Sequence, residues 1–257
     1  MTNTAHSDTA QPVIDSTLDD AEVARFAAMA DEWWDPKGKF RPLHALNPVR
    51  LTFIRDALCT HFDRDATQLR PFKGLNIVDI GCGGGLLCEP LARLGATMTG
   101  LDPAEDSIRA ARAHAEAQQL EIDYRADRAE SLVDAGEQFD AVLALEVVEH
   151  VPDVPAFTSV AAALVRPGGL MLLSTINRTL KSYALAIVGA EFVLRWLPVG
   201  THRWDRFVTP AELSGACEQA GLSEVARKGM IFDPLGGDWR LSRDTDVNYL
   251  MAASRPR

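Results

Sequence analysis

No uninterrupted apolar run in this sequence reaches the roughly 20 residues that a helix needs to cross a bilayer. The longest candidate, Tyr183 to Ala190 and onward, is broken by Glu191 and Arg195. Basic residues are scarce relative to acidic ones: 26 Lys and Arg stand against 36 Asp and Glu, a formal charge of -10. Phosphate contacts require clustered cations, so this balance argues against a nucleic-acid partner. Cysteine is sparse, limited to Cys59, Cys82, Cys88 and Cys217 without a C-x-x-C pair. Such spacing supplies neither a disulfide framework nor a zinc site, and fits free thiols in a reducing compartment. No internal repeat is evident.

What is present is enough for a substantial core: 257 residues, 47% of them apolar, fit one embellished domain better than two. Residues 1–16 are polar and irregular, with neither the apolar centre of a signal peptide nor the arginines of a transit sequence, and read as a disordered tail. Residues 17–257 then form the single domain. Asp15-Ser16-Thr17 is placed to cap a helix carrying Val23, Phe26, Ala27, Ala30 and Trp33 at helical spacing. Asn47-Pro48 is placed to start another through Leu51, Ile54, Leu58 and Phe62. Strands are expected at 75–80, 96–101, 122–125, 139–145 and 170–176, with helices at about 86–94, 104–119 and 156–165 between most of them. Strands near 223–231 and 247–253 complete seven, the last pair closing the sheet antiparallel. Alternating strands and helices specify an α/β three-layer sandwich around a mostly parallel sheet.

The richest stretch is Asp79-Ile80-Gly81-Cys82-Gly83-Gly84-Gly85, entered from Leu75-Asn76-Ile77-Val78. Glycines there let the backbone approach a ligand, and the next helix aims its N-terminus at the same place. A dinucleotide fingerprint needs a third small residue where Leu86 stands, so the nicotinamide reading is weakened. The following strand ends at Asp102, where a carboxylate accepts hydrogen bonds from a ribose diol. Asp79 beside the loop repels a pyrophosphate and suits an ammonium or sulfonium group. The D-x-G-x-G-x-G pattern, the strand-end acid, Phe139-Asp140-Ala141-Val142 and Arg166-Pro167-Gly168-Gly169, in that order, resemble the class I S-adenosylmethionine-dependent methyltransferases.

Open α/β sheets bind ligands at the carboxyl ends of their strands. Leu145-Glu146-Val147-Val148-Glu149-His150 falls there, and one helical turn would gather Glu146, Glu149 and His150 on one side. Two carboxylates and an imidazole can hold a divalent ion, Mg²⁺ first, or position a base. Alternatively, the Glu-His pair only bonds neighbouring backbone.

Longer motifs narrow the substrate. Glu32-Trp33-Trp34-Asp35, Phe40-Arg41-Pro42-Leu43-His44, Asn47-Pro48-Val49-Arg50-Leu51, 188–191 through Gly200-Thr201-His202, and Asp246-Val247-Asn248-Tyr249 resemble the ubiquinone biosynthesis O-methyltransferases over about 18–253. The resemblance implies a class I methyltransferase fold with N-terminal helices and a helical insertion after the fifth strand. It implies methylation of ring hydroxyls of polyprenylated phenols, at two steps. By matching motif, Arg50, Gly81, Asp102 and Leu145 would contact S-adenosylmethionine, joined by Asp79 and Gly83 from the loop reading, and Glu146, Glu149 and His150 would correspond to a Mg²⁺ site. His150 and Glu149 are the candidate catalytic pair. Another small-phenol methyltransferase is the competing reading.

The insertion at 177–208, between the fifth strand and a helix expected to begin near Thr209-Pro210, places Phe192, Val193, Leu194, Trp196 and Leu197 near Lys181, Arg195, Arg203 and Arg206. That composition suits either a lid or a weak interfacial contact. A cytoplasmic enzyme is expected, peripheral at the inner face of the membrane and working beside other ubiquinone-biosynthesis enzymes.

Overall fold

Strands β1 (Asn76–Ile80), β2 (Thr97–Asp102), β4 (Phe139–Leu145) and β5 (Val165–Ile176) alternate their side chains between two separate cores. In β1, Ile77 enters one core and Val78 the other; in β4, Ala141 and Leu143 oppose Val142 and Ala144. Such strands are buried on both faces because helices cover both sides, which is why they read as nearly continuous apolar runs. The first core is covered by α2 (Arg41–His61), α3 (Cys88–Arg93) and α4 (Glu105–Ala117). The second is covered by α5 (Ala129–Asp134), α6 (Val154–Ala163) and α8 (Pro210–Gln219). Helix α1 (Asp20–Ala27) precedes the sheet, and α7 (Leu180–Ser182) is a single turn after β5. This computed structural model describes residues 17–185, 203–233 and 236–257.

The sheet has the order β3-β2-β1-β4-β5-β8-β6-β7, with β3 at Asp123–Ala126, β6 at Ser223–Asp233, β7 at Asp238–Ser242 and β8 at Asn248–Ser254. Strands β1 to β5 run parallel, and β8, β6 and β7 join antiparallel. Eight strands thus replace the expected seven. The extra one is β7, which returns along the end of β6 as a hairpin, with Gly237 in the turn at φ 73°. The order reverses between β1 and β4, so the loops after Ile80 and Leu145 open into the same crevice.

Other differences are local. Asp19, not Asp15 to Thr17, caps α1 by accepting from the Ala21 amide, while Thr17 docks its amide and hydroxyl on Glu130 at 3.0 and 2.7 Å. Helix α2 begins at Arg41 with Pro42 in its first turn, so Pro48 lies inside the helix, and Asn47 donates to the Leu86 carbonyl instead of capping. Helix α8 starts as expected, with Thr209 and Glu212 in a reciprocal capping box and Pro210 in the first turn. Asp140 links two of the sequence motifs as scaffold: it accepts from Arg166 and from the Asn76 amide, tying the starts of β1, β4 and β5 together.

Candidate active site

The cofactor loop is held from below by β2. Gly81 and Cys82 donate their amides to the Leu101 carbonyl at 2.7 and 3.0 Å. Asp102 accepts the Gly83 amide on one oxygen and the Ala104 amide on the other, both at 2.9 Å. The loop is held from above by the Trp pair. A Cβ on Gly83 would sit 2.3 Å from the Trp33 ring, and Trp34 donates its indole N–H to the Gly84 carbonyl. Gly85, superfluous to a dinucleotide fingerprint, is required here: its φ is 86° and a Cβ would lie 2.1 Å from the Tyr124 hydroxyl. Trp33 is itself fixed by stacking on Phe40 and by donating to Ser107.

Asp79, Gly81, Asp102, Leu145, Arg50, Glu146, Glu149 and His150 all line one cavity of about 1000 Å³. Gly83 does not; its amide serves Asp102 and its face is covered by Trp33. Leu145 is the buried last residue of β4. Burial pushes the Asp79 carboxyl up to about 7, against a hydrogen bond from Cys88 and the charge of Arg50. Burial likewise pushes Asp102 up to about 6, against the two amides it accepts. Arg50 is buried, with Nη2 donating to the Leu43 carbonyl and Asn47, while Nε has no hydrogen-bond partner. An orphaned guanidinium N–H deep in a cavity fits a carboxylate, the group it pairs with in charge-assisted fashion. The residues therefore fit an amino-acid nucleoside: Arg50 for carboxylate, Asp79 for cationic groups and Asp102 for the ribose.

The second constellation departs from expectation. Glu146 takes a left-handed backbone, φ 57°, so residues 146–150 make a turn and the helical spacing argument fails. The three side chains instead diverge to separate partners. Glu146 accepts from the Ser174 hydroxyl at 2.5 Å, Glu149 from Thr175 at 2.8 Å, and His150 Nδ1 meets Glu22 of α1 at 2.8 Å. Among the described residues no three acid, histidine or cysteine side chains are gathered as a metal site, so this donor set does not fit Mg²⁺ as it stands. Burial pushes Glu149 up to about 7, reinforced by Glu146. For His150, burial pulls the pKa down, but Glu22 and Glu149 outweigh it and the net shift is upward.

Residues 51–226 match the model of the methyltransferase domain family. The chain is 61% identical to the ubiquinone biosynthesis O-methyltransferase of Azorhizobium caulinodans, over 92% of this chain and 93% of that one. It is 58% identical to the protein of the same name from Methylobacterium nodulans, over 93% and 96%. The chain belongs to the ubiquinone biosynthesis O-methyltransferase family. It is an S-adenosylmethionine-dependent O-methyltransferase. The magnesium protoporphyrin IX methyltransferase of Synechocystis, solved with S-adenosylhomocysteine, shares the fold at TM-score 0.64, with 21% identity over 92% of this chain and all of that one, 100%.

Sequence reasoning did not find Glu22, Ser174 or Thr175. Glu22 lies 128 positions from His150, and nothing local in the chain marks the pairing. It also did not foresee that the Trp33-Trp34 motif clamps the glycine loop. His44 hydrogen-bonds the Trp33 carbonyl and His61 the Gly168 carbonyl, and neither lines the cavity. His202 lies outside the described residues, as do Gly200 and Thr201.

Proposed function

We propose that this chain moves a methyl group from S-adenosylmethionine to ring hydroxyls of polyprenylated phenol or catechol intermediates of ubiquinone biosynthesis. The reactions are demethylubiquinol to ubiquinol and the earlier hydroxyphenol step. The observation that carries the reading is the single cavity, which joins the Arg50, Asp79 and Asp102 end to His150 and Glu149 between largely apolar walls. The family names of the relatives supply the substrate class.

The cofactor supplies an electrophilic methyl on a sulfonium. A phenol has a pKa of about 10, so ionising it at pH 7 costs roughly 4 kcal/mol, and a residue that takes its proton accelerates attack. In the neutral imidazole, Glu22 accepting from Nδ1–H leaves Nε2 of His150 as the basic nitrogen. Glu149 and Glu22 stabilise the protonated imidazole, which strengthens the base. A general base placed in this way contributes about 10² to 10⁴ in rate.

Magnesium ligation would require Glu146, Glu149 and His150, which now serve separate partners, to converge on one point. Activity under exhaustive chelation decides between the two roles for Glu146 and Glu149. Full activity supports His150 as the base; loss that Mg²⁺ restores supports ligation.

The proposal extends to the surroundings of the enzyme. The insertion at 177–208, whose residues 186–202 lie outside the described residues, makes a weak, reversible contact with the membrane surface on the cytoplasmic side, near other enzymes of the pathway. Among the described residues no helix is long and apolar enough to cross a membrane. Transfer of labelled methyl to a short-chain demethylubiquinol tests the reaction itself.

A further inference from the structure

Part of the cavity wall is apolar. There, Pro42, Leu43 and Leu46 of α2 line one stretch, and Met230, Phe232 and Trp239 of the β6–β7 hairpin line another. Phe232 and Trp239 are cross-strand partners, with ring centroids 5.7 Å apart. Met230 is buried in the same cluster as Leu46, and Trp239 packs against that cluster. Phe232, at 40% exposure, brings the apolar lining out to the surface. Lys181 and Asp244, which also line the cavity, pair with each other at 2.5 Å.

An amphipathic substrate matches this division. A ring hydroxyl needs the polar side chains around His150, whereas an apolar tail attached to the same ring gains by leaving water along the apolar wall. Strand β7 is the element added beyond the seven expected strands, and Trp239 is its contribution to the wall.

We propose that the β6–β7 hairpin and the first turns of α2 form the subsite for the leading isoprene units of the substrate tail, with Phe232 and Trp239 as its specificity-determining residues. The inference rests on the polyprenylated substrate assigned above. It continues the reaction chamber outward, so tail and ring are bound by one cavity.

The test compares kcat/KM for a demethylubiquinol bearing two isoprene units with that for the analogue bearing only a methyl group. Parent enzyme, Phe232→Ser and Trp239→Leu are assayed, with S-adenosylmethionine affinity measured alongside to report folding. The parent prefers the prenylated substrate. Each variant loses about tenfold in kcat/KM for it, chiefly through KM, the size expected for lost apolar pocket contacts. The methyl analogue changes less than twofold. Equal losses for both substrates with cofactor affinity intact, or no loss for either, overturn the tail subsite. A parent that methylates both substrates equally well overturns it too, while a parent that methylates neither overturns the substrate reading on which it rests.

Discussion

Asp102 fixes two backbone amides and also faces the cavity, so its carboxylate shapes the cofactor loop as well as offering acceptors for a ribose. Charge-assisted hydrogen bonds of this kind contribute about 1.5 to 3 kcal/mol each. Asp102→Ala is therefore expected to weaken S-adenosylmethionine binding by at least about tenfold in calorimetry, in a protein that still unfolds cooperatively. Acidity gives a second expectation. Burial raises Asp79 to about 7 and Asp102 to about 6, above their ordinary values, so the unliganded fold holds protons that the unfolded chain has released. Its stability accordingly falls as pH climbs from about 4 to about 7. A cationic ligand and a ribose diol favour the ionised carboxylates. Cofactor affinity should then rise between about pH 6 and 7.5, with protons released on binding and little change above about pH 8. Calorimetry in buffers of different ionisation enthalpy measures both. The strand-end acid was legible in the sequence because its position after β2 is set by the βαβ unit; its bonds to Gly83 and Ala104 were not, since they depend on the turn the loop takes.

At the scale of elements, local signals succeeded where a single residue type settles the backbone and failed where two compete. Thr209-Pro210 announced α8 because the cap and the first-turn proline agree. Asn47-Pro48 carried the same signature, yet α2 runs through it from Arg41. Packing of Leu46, Val49 and Phe53 against the sheet outweighs the missing Pro48 amide, which would otherwise bond His44. Pro48 is exposed, so Pro48→Ala restores that hydrogen bond with little packing lost. A gain of about 1 to 3 kcal/mol is expected after the more flexible unfolded chain is counted. Thermal unfolding should shift upward by about 2 to 4 °C per kcal/mol. The 146–150 segment failed for a different reason. Spacing of i, i+3, i+4 places side chains together only on a helix, and the left-handed Glu146 turns this segment away from one. Helix α1 was legible as a helix but not as part of the site. Its contacts, Glu22 to His150 and Asp19 to Arg206 at 2.8 Å each, join segments far apart in the chain.

The whole molecule combines a charge of -10 with an apolar cavity, which suits a greasy substrate and leaves little electrostatic attraction to an anionic surface. Binding to liposomes through the insertion should therefore be weak and only modestly dependent on salt. Replacing Val193, Leu194 and Trp196 with polar residues should reduce cosedimentation, and unchanged sedimentation would leave the insertion a packing role alone. The five parallel strands were readable from apolar runs alternating with helices; the β6–β7 hairpin was not, because β7 is short and half-exposed. The central claim is methyl transfer to a ring hydroxyl of a polyprenylated phenol in this one cavity. Its most direct test is incubation of the purified chain with methyl-labelled S-adenosylmethionine and a short-chain demethylubiquinol, with the product separated and weighed by mass spectrometry. The expected result is one labelled methyl ether per S-adenosylhomocysteine formed, whereas a folded, cofactor-binding protein that leaves the phenol unmethylated would contradict it.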